Sequence, residues 1–290
     1  MEERWTILSV LQWTAAYFSR KGIEQSRANA EVLLAHVLGV ERIQLYLRYD
    51  QPMSSTELAR FREAVQRRAS REPTQYITRR QEFWSLDFEV TPAVLIPRPE
   101  TEVLVEKALE ILPSSPARIL DIGTGSGAIA VALASERPSL QVVATDRSPA
   151  ALDVARRNAC RHGVQERIHW VCSDLFGALS PVQPLFDLIV SNPPYIGETE
   201  MPELAPEILK YEPESALRGG GPLGLDIIRR IIETAPPYLK PGGTLLVEIG
   251  HKQADVLKEE LGWKPGFEAL EFIRDYSGIL RILHLRKTNR

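Results

Sequence analysis

Short apolar runs alternate with helix-like stretches from Arg118 onward, and no other feature of the sequence constrains the fold as strongly. The runs cover residues 118–121, 141–145, 168–172, 186–190 and 244–248, with helix-like stretches near 128–135, 149–161 and 225–235. Alternation of this kind predicts a parallel sheet covered by helices on both faces. Two final runs, 269–274 and 279–285, lie too close together for a parallel crossover. They predict an antiparallel pair at the sheet edge.

The part of the chain before Arg118 has a different pattern. Apolar residues recur at helical spacing over residues 30–38, and Ser54 with Glu57 fits a capping box that opens another helix. Further on, aromatic and β-branched residues in short stretches are typical of a hairpin. We therefore predict a small helical substrate-docking domain over residues 1–74, a β-hairpin-like connector over 75–98, and an α/β catalytic domain over 99–290.

Composition excludes several classes of protein. Hydrophobic residues make up 44% of the 290-residue chain and charged residues 25%, which fits a globular protein rather than a disordered one. We expect no membrane span, because no apolar run approaches the required length, and no secretory signal. The two cysteines are too few for a disulfide framework, and neither they nor the histidines have the spacing of a metal site. We expect a monomeric, cytoplasmic protein without a metal.

Charge is distributed unevenly along the chain. The net charge is −3, but residues 1–80 contain 13 basic and 9 acidic residues, so the remainder is acidic. An acidic catalytic part argues against a nucleic-acid substrate, which needs a basic track for its phosphates. The basic excess in the first 80 residues is mostly arginine, including Arg67, Arg68 and Arg71. A solvated helix face and a binding patch both remain open as its explanation.

A glycine-rich segment, Asp121 to Gly127 (DIGTGSG), follows the first predicted strand of the sheet and opens a helix. At such a turn, glycines let the backbone approach a ligand closely. Gly123, Gly125 and Ala128 also satisfy the dinucleotide pattern, so spacing alone leaves the ligand open. The Asp121 carboxylate would repel a pyrophosphate but favour the ammonium and sulfonium groups of S-adenosylmethionine.

Acidic residues also follow the next two predicted strands. Asp146 is placed to accept hydrogen bonds from ribose hydroxyls. With Ser148 and Pro149 behind it, it also fits a helix-start residue, and Asp174 has the same two interpretations.

A second motif, Asn192-Pro193-Pro194-Tyr195, follows the fourth predicted strand. The nitrogen of a planar amide or aromatic amine is a poor nucleophile, because its lone pair is delocalised. The Asn192 side-chain carbonyl and the Pro193 carbonyl can each accept one N–H of such a group, which orients the nitrogen and stabilises its growing positive charge. Tyr195 offers a flat face for stacking. The motif predicts methyl transfer to a planar amino group.

Together, DIGTGSG and NPPY resemble the S-adenosylmethionine-dependent amino-methyltransferases. Four further stretches narrow the resemblance to the peptide chain release factor glutamine methyltransferase family: LIPRPETE (95–102), YEPESAL (211–217), GGGPLGL (219–225) and EIG (248–250). This resemblance covers nearly the whole chain. It implies a Rossmann-like class I methyltransferase sheet preceded by a small helical domain, and transfer of a methyl group to the glutamine of the Gly-Gly-Gln loop in release factors.

The resemblance also implies roles for particular residues. Those implied to contact the cofactor are Gly123, Thr124, Gly125, Ser126, Gly127 and Asp146, with Asp174 and Leu175 near the adenine and Asn192 between cofactor and substrate. Asn192, Pro193, Pro194 and Tyr195 would hold the substrate glutamine. Some family members have an aromatic residue in place of Leu175, so neighbouring Phe176 is an alternative for stacking on the adenine.

Alternatives remain for the substrate and for a few side chains. The NPPY chemistry fits adenine N6 in DNA or RNA, or a glutamine of a ribosomal protein, although ribosomal-protein methyltransferases differ over residues 96–102. A non-catalytic sensor that only binds S-adenosylmethionine is a further alternative. It is disfavoured because Asn192 and Tyr195 would then have no function. Arg98 and Glu100 fit an ion pair at the cofactor cleft or a substrate contact. Glu212 and Glu214 could each be a general base, but the chemistry requires none.

Overall fold

The computed structural model describes residues 5–182, 186–261 and 266–289. The ends of the predicted helical and catalytic domains, residues 1–4 and 290, lie outside this part, as do residues 183–185 and 262–265. The described chain divides into two compact units, one formed by residues 1–80 with 205–211 and the other by residues 81–204 with 212–290.

The first unit is helical. Its helices are α1 (Ile7–Arg20), α2 (Ser26–Leu38), α3 (Arg42–Leu47), α4 (Ser55–Ala69), α5 (Thr74–Thr78) and, from the later segment, α9 (Pro206–Tyr211). The predicted capping box begins α4, where the Ser54 hydroxyl accepts the Glu57 N–H at 3.2 Å and the Glu57 carboxylate accepts the Ser54 N–H at 2.7 Å. Phe18, Leu33 and Phe61 are buried in the core of this unit.

Arginines near the end of α4 are engaged inside the helical unit. Arg68 is buried, and its guanidinium lies 3.1 Å from the Glu207 carboxylate of α9, which Arg71 also contacts at 3.3 Å. Arg67 forms an ion pair with Glu72 at 2.6 Å. These contacts, rather than a solvated helix face, account for much of the basic cluster. They also explain why a segment after the NPPY motif belongs to the first unit, which the sequence pattern did not predict.

The second unit contains the predicted sheet. Its strands are β1 (Arg80–Phe83), β2 (Leu86–Glu89), β3 (Arg118–Ile122), β4 (Gln141–Asp146), β5 (Ile168–Cys172), β6 (Phe186–Ser191), β7 (Leu239–Glu248), β8 (Phe267–Arg274) and β9 (Leu280–Lys287). Its helices are α6 (Glu102–Ile111), α7 (Ala128–Glu136), α8 (Pro149–Arg161), α10 (Asp226–Thr234) and α11 (Gln253–Leu261). The β1 and β2 strands form a separate two-stranded sheet, joined by a turn at Trp84 and Ser85 in which both residues have positive φ.

The seven-stranded sheet has the order β5-β4-β3-β6-β7-β9-β8. Strands β3 to β7 pair in parallel, and β9 pairs antiparallel with both β7 and β8. The predicted α/β fold with a final antiparallel pair is confirmed. The residues of β3 and β6 are almost wholly buried, which explains their continuous apolar sequence. Among the described residues, no helix is long and apolar enough to cross a membrane.

Candidate active site

Sheet topology brings the two sequence motifs together. The chain leaves β3 towards β4 on one side and returns to β6 on the other, and ligands of open α/β sheets bind where the strand order reverses in this way. In the parallel register, Ile122 lies beside Ser191 of β6 and beside Thr145 of β4. The residues that follow these three positions, Gly123, Asn192 and Asp146, therefore emerge at the same level of the sheet edge.

The glycine loop is the turn from β3 into α7, residues 123–127. Its three glycines have φ values of 73°, 56° and 82°, which residues with a side chain rarely adopt. A Cβ at Gly127 would lie 3.1 Å from the Ala155 side chain, whereas a Cβ at Gly123 would meet no protein atom within 4 Å. Gly127 therefore permits close packing of α7, and Gly123 leaves the backbone open to the cavity in front of it.

Asp146 lies at the end of β4 and joins the glycine loop to the next helix. Its carboxylate accepts the N–H of Gly125 and the N–H of Ser148, both at 2.9 Å. Burial raises the pKa of this carboxyl. Ser148, not Asp146, caps α8, because its hydroxyl accepts the N–H of Ala151. The carboxylate lines the cavity and has lone pairs with which to accept hydroxyl groups of a ligand.

Asp121 lies behind the glycine loop. Its side chain is fully buried, and one carboxylate oxygen accepts the hydroxyl of Thr124 at 2.6 Å. Burial raises the pKa of Asp121 to about 7. The residue does not line the cavity, although Thr124, Gly125 and Ser126 do. Its contact with Thr124 connects it to the loop that forms the cavity wall.

The turn after β5 brings Asp174 and Leu175 to the wall of the cavity. Asp174 is exposed and forms an ion pair with Arg230 at 3.0 Å, and residues 173–182 form turns rather than a helix that it could cap. Leu175 has a φ of 49°, lines the cavity and is partly buried against the core. Phe176 was an alternative for stacking on the adenine, and this was wrong. It is buried in the core, where its ring stacks on Tyr238 at 4.6 Å.

A cavity of about 560 Å³ lies in front of these loops. Its walls include apolar side chains, the glycine loop, Asp146 and Asn192, all from the second unit. The volume is within the usual range for small-molecule sites. An open glycine loop beside a carboxylate suits a nucleoside, because backbone and carboxylate can approach its ribose and reactive end. The residues present therefore fit S-adenosylmethionine, which has a ribose and no phosphate.

Asn192 is held by a chain of hydrogen bonds. Its side-chain N–H donates to the hydroxyl of Thr101 at 3.0 Å, and that hydroxyl donates to the carboxylate of Glu248 at 2.7 Å. The Tyr195 hydroxyl donates to the other oxygen of the same carboxylate at 3.3 Å. Burial raises the pKa of Glu248 to about 7, and burial together with this carboxylate also raises the pKa of Tyr195. Both motif side chains thus converge on one buried group.

Two oxygens of the motif differ from the Tyr195 carbonyl, which accepts a side-chain N–H of Gln253. In the described part of the chain, no protein donor is bonded to the side-chain oxygen of Asn192 or to the carbonyl oxygen of Pro193. Asn192 and Pro194 line the cavity, whereas Pro193 is buried and Tyr195 is partly buried and packs against the core. Asn192 can therefore face a ligand while its amide N–H is held from behind.

The backbone of Tyr195 is fixed by later parts of the chain. The Gln253 side chain donates to the Tyr195 carbonyl at 2.8 Å and to the Leu223 carbonyl at 2.7 Å, and accepts the Gly250 N–H at 2.8 Å. The GGGPLGL loop packs directly on this backbone. A Cβ at Gly224 would come within 2.1 Å of the Tyr195 carbonyl oxygen, so no larger residue fits there without a shift.

Arg98 forms an ion pair with Glu212, and not with Glu100 as considered from the sequence. The Glu212 side chain is buried and also accepts the N–H of Ile96 at 3.2 Å. This carboxylate is therefore occupied by structural partners and is not placed as a general base. Arg98 lines the cavity, whereas Glu100 is exposed. Among the described residues, no group of acidic, histidine and cysteine side chains is arranged to hold a metal.

Sequence reasoning missed Thr101, Glu248 and Gln253 as site residues. Thr101 and Glu248 lie within two of the stretches that carried the family resemblance, LIPRPETE and EIG. A polar residue at the end of an otherwise apolar strand was a usable signal for Glu248, because such residues face the ligand edge of a parallel sheet. Nothing in the spacing indicated that Thr101 or Gln253 would reach the NPPY loop.

Comparison with known proteins gives the family of the chain. The PrmC N-terminal domain model matches residues 9–78, and the methyltransferase small domain model matches residues 100–225. A release factor glutamine methyltransferase of Geobacter sulfurreducens is 48% identical, covering 97% of this chain and 96% of that protein. Another, from Chlorobaculum tepidum, is 42% identical and covers 97% of each. The hMettl16 catalytic domain shares the fold, with a TM-score of 0.58 at 18% identity over 79% of this chain and 82% of that one.

The fold and the site define a class I methyltransferase that uses S-adenosylmethionine. The parallel sheet, the glycine loop and the antiparallel final strands are all present in one catalytic unit. At this level of identity and coverage, the chain belongs to the release factor glutamine methyltransferase family.

Proposed function

We propose that this enzyme transfers a methyl group from S-adenosylmethionine to the side-chain amide nitrogen of a release factor glutamine, the one in the Gly-Gly-Gln loop that the family resemblance implies. The observation that carries the proposal is the orientation of Asn192. Its N–H is bonded to Thr101, so its carbonyl oxygen is left for a ligand in the cavity that it lines. The names of relatives that match nearly the whole chain support the same substrate.

Asp146 and the glycine loop would hold the cofactor. The Asp146 carboxylate would accept the ribose hydroxyls, with the backbone of Gly123 to Gly127 and the side chains of Thr124 and Ser126 against the rest of the molecule. Leu175 and Asp174 would border the adenine. When bound, S-adenosylmethionine supplies a methyl group on a positively charged sulfur, which is activated for transfer.

Asn192 and Pro193 would hold the substrate amide. The side-chain oxygen of Asn192 and the carbonyl oxygen of Pro193 each accept one N–H, which directs the nitrogen lone pair towards the methyl group. As the new carbon–nitrogen bond forms, the bond between the methyl carbon and sulfur would break and leave its electron pair on sulfur. The nitrogen becomes positively charged, and the two oxygens stabilise that charge. The nitrogen then loses a proton to water, which its high acidity allows without a dedicated base. Pro194 and Tyr195 would complete the substrate side of the site.

We also propose that the helical unit docks the release factor. Large apolar side chains are exposed on it, including Trp13, Leu47 and Tyr49, which are 49%, 69% and 55% exposed. Exposed aromatic residues are enriched in protein interfaces. Trp13 stacks on Tyr17 at 5.2 Å, so part of this surface is already ordered. The substrate would then be bound as a folded protein as well as through one glutamine.

Three further features complete the proposal. The enzyme works as a monomer, because the cavity is lined by residues of a single catalytic unit. It acts in the cytoplasm, since two cysteines and no disulfide framework suit a reducing compartment. It takes no nucleic acid directly, because residues 81–290 contain 22 basic and 29 acidic residues.

Methyl transfer assays with labelled S-adenosylmethionine test the function. The full chain is incubated separately with release factor, duplex DNA, RNA and ribosomal protein, and a release factor with alanine in place of the loop glutamine serves as control. We expect label in the release factor only, and its loss in the control. Label in the adenine of a nucleic acid, or in the ribosomal protein alone, would contradict the proposal.

A further inference from the structure

We infer that Thr101 and Glu248 are positioning residues that determine which end of the Asn192 amide faces the substrate. This inference rests on the proposed function, because it concerns how Asn192 presents an acceptor to a glutamine amide. Neither side chain is offered as a catalytic residue. Glu248 does not line the cavity. Thr101 does line it, but its role here is exerted through its bond to Asn192.

An asparagine side chain can bind in two orientations. Its amide has a carbonyl oxygen that only accepts and a nitrogen that donates, and the two ends have nearly the same shape. Presented to a glutamine N–H, the oxygen would form a hydrogen bond, whereas the nitrogen would place two donors against each other. Methyl transfer at this site therefore needs a device that fixes the orientation of Asn192.

The hydroxyl of Thr101 can fix the orientation of the Asn192 amide because it has only one hydrogen to donate. When Glu248 is ionised, that hydrogen is donated to its carboxylate at 2.7 Å, so towards Asn192 the hydroxyl offers only lone pairs. The asparagine must then donate its N–H, which it does at 3.0 Å. Its oxygen is left on the side away from Thr101. The Glu248 carboxylate thus fixes the orientation of the Thr101 hydroxyl, and this hydroxyl fixes the orientation of the Asn192 amide.

The location of Glu248 strengthens this arrangement. Its side chain is fully buried at the end of β7, where a polar group needs partners. Among the described residues, the hydroxyls of Thr101 and Tyr195 donate to its carboxylate. Thr101 is buried as well. Water therefore does not compete easily for these hydrogen bonds, and the carboxylate holds both Thr101 and Tyr195 from one position. Two residues of the NPPY loop, Asn192 and Tyr195, are connected through it.

Variants at Thr101 separate positioning from packing. Thr101→Val keeps the shape of the side chain but removes the hydroxyl, and Thr101→Ser restores it. We expect Thr101→Val to lower kcat at least about tenfold, with affinity for S-adenosylmethionine within about threefold of wild type. Thr101→Ser should recover most of the lost turnover. Thr14→Val is the matched control, because Thr14 is also buried and its hydroxyl has no partner in the described part of the chain.

A double-substitution cycle tests whether Thr101 acts through Asn192. If it does, Thr101→Val should have no further effect on kcat in an Asn192→Ala background, where the amide is gone. A merely structural Thr101 would lower kcat by the same factor in both backgrounds. Glu248→Gln gives a second readout, since an amide donor facing Thr101 would reverse its hydroxyl, and we expect lower kcat with unchanged cofactor affinity.

The outcomes distinguish this inference from the proposed function. Failure of the wild-type chain to methylate release factor would overturn the function. A wild-type chain that methylates release factor, with Thr101→Val equally fast or with effects at Thr101 and Asn192 that simply multiply, would overturn the positioning role alone. Circular dichroism and melting temperature, measured for every variant, show whether a loss of turnover is a loss of fold.

Discussion

The glycine loop and the reaction loop, residues 192–195, leave neighbouring strands at the same level, yet they are held in different ways. The glycine loop is held by β4, the next strand along the chain. The Thr145 carbonyl accepts two N–H groups of the loop, and the Asp146 carboxylate accepts the N–H of Gly125, which is 21 residues away. The reaction loop is held by Thr101, 91 residues before Asn192, and by Gln253, 58 residues after Tyr195. A ligand-binding turn can thus be local, whereas precise placement of a reactive group depends on distant parts of the chain.

This difference predicts that the two loops can be impaired separately. Changes near the glycine loop should act on stability or cofactor affinity. Changes in the reaction loop should act on turnover. The helical unit, whose described residues do not line the cavity, should affect neither and should act on the protein substrate.

The largest expected change in free energy concerns Asp121. Its pKa is about 7 in the folded protein, against 3.8 for an ordinary aspartate. Because the folded state holds this proton more tightly, the unfolded state loses it first as pH rises. The group's contribution to the free energy of unfolding is therefore fully present below about pH 4 and is lost by about pH 7, a change of about 4 kcal/mol. Urea unfolding of wild type and Asp121→Asn across this range measures it.

The asparagine variant should lose much less stability over the same interval. Parallel pH curves for the two proteins would show that the folded protein does not hold a proton on Asp121 more tightly than the unfolded chain does. Glu248, whose pKa is also raised by burial, is unchanged in both proteins and serves as the common background.

Substitutions of Asn192 should have the next largest effect, on turnover. Asn192→Ala is expected to lower kcat on the order of a hundredfold or more, because it removes one of the two acceptors that orient the amide. Asn192→Asp should fail too. A carboxylate cannot donate to Thr101, and its charge lies beside a cationic cofactor. Steady-state kinetics measure kcat, and calorimetry should find cofactor affinity in Asn192→Ala within about tenfold of wild type.

Substitution of Asp146 should act on cofactor affinity. Asp146→Ala removes a charge-assisted acceptor for the ribose and is expected to weaken binding by about 1.5 to 3 kcal/mol. Calorimetry with S-adenosylmethionine measures this loss. At saturating cofactor, kcat should recover to near wild type. Tight binding of NAD in place of S-adenosylmethionine would contradict the assignment of the glycine loop to this cofactor, because the loop would then be a dinucleotide site.

The smallest effect is expected in the helical unit. Trp13→Ala should raise the apparent KM for whole release factor several-fold, by about 1 kcal/mol, since contacts remote from the reaction supply binding energy. The KM for a short peptide with the target glutamine should stay unchanged. Tyr276→Ala is the control, because Tyr276 is an exposed aromatic residue of the catalytic unit. An equal rise in both variants would argue against docking on the helical unit.

Features that depend on contiguous residues could be predicted from the sequence. The alternating runs predicted the sheet and its antiparallel end, because the period of apolar residues reflects burial directly. The glycine loop and NPPY were found for the same reason: each is a local motif. The predicted partner of Arg98, Glu100, was wrong. Glu100 is only two residues away in sequence, whereas the observed partner, Glu212, is 114 residues away.

The supports of the site could not be predicted, because they depend on tertiary contacts. Thr101 and Gln253 are ordinary polar residues in sequence, and only the fold brings them to the reaction loop. Phe176 was considered for the adenine because it adjoins Leu175, but the positive φ of Leu175 turns the chain so that Phe176 enters the core. The Arg68–Glu207 pair joins residues that are 139 positions apart. It holds residues 205–211, which lie within the predicted catalytic domain, in the helical unit.

Single-turnover methyl transfer tests most directly whether the reaction loop positions the substrate amide. Wild type, Asn192→Ala and Asp146→Ala are each mixed with saturating S-adenosylmethionine and release factor, and labelled glutamine is followed over time. We predict that Asp146→Ala transfers at close to the wild-type rate and that Asn192→Ala is on the order of a hundredfold slower. A wild-type rate in Asn192→Ala would contradict the account, because the NPPY loop would then be structural.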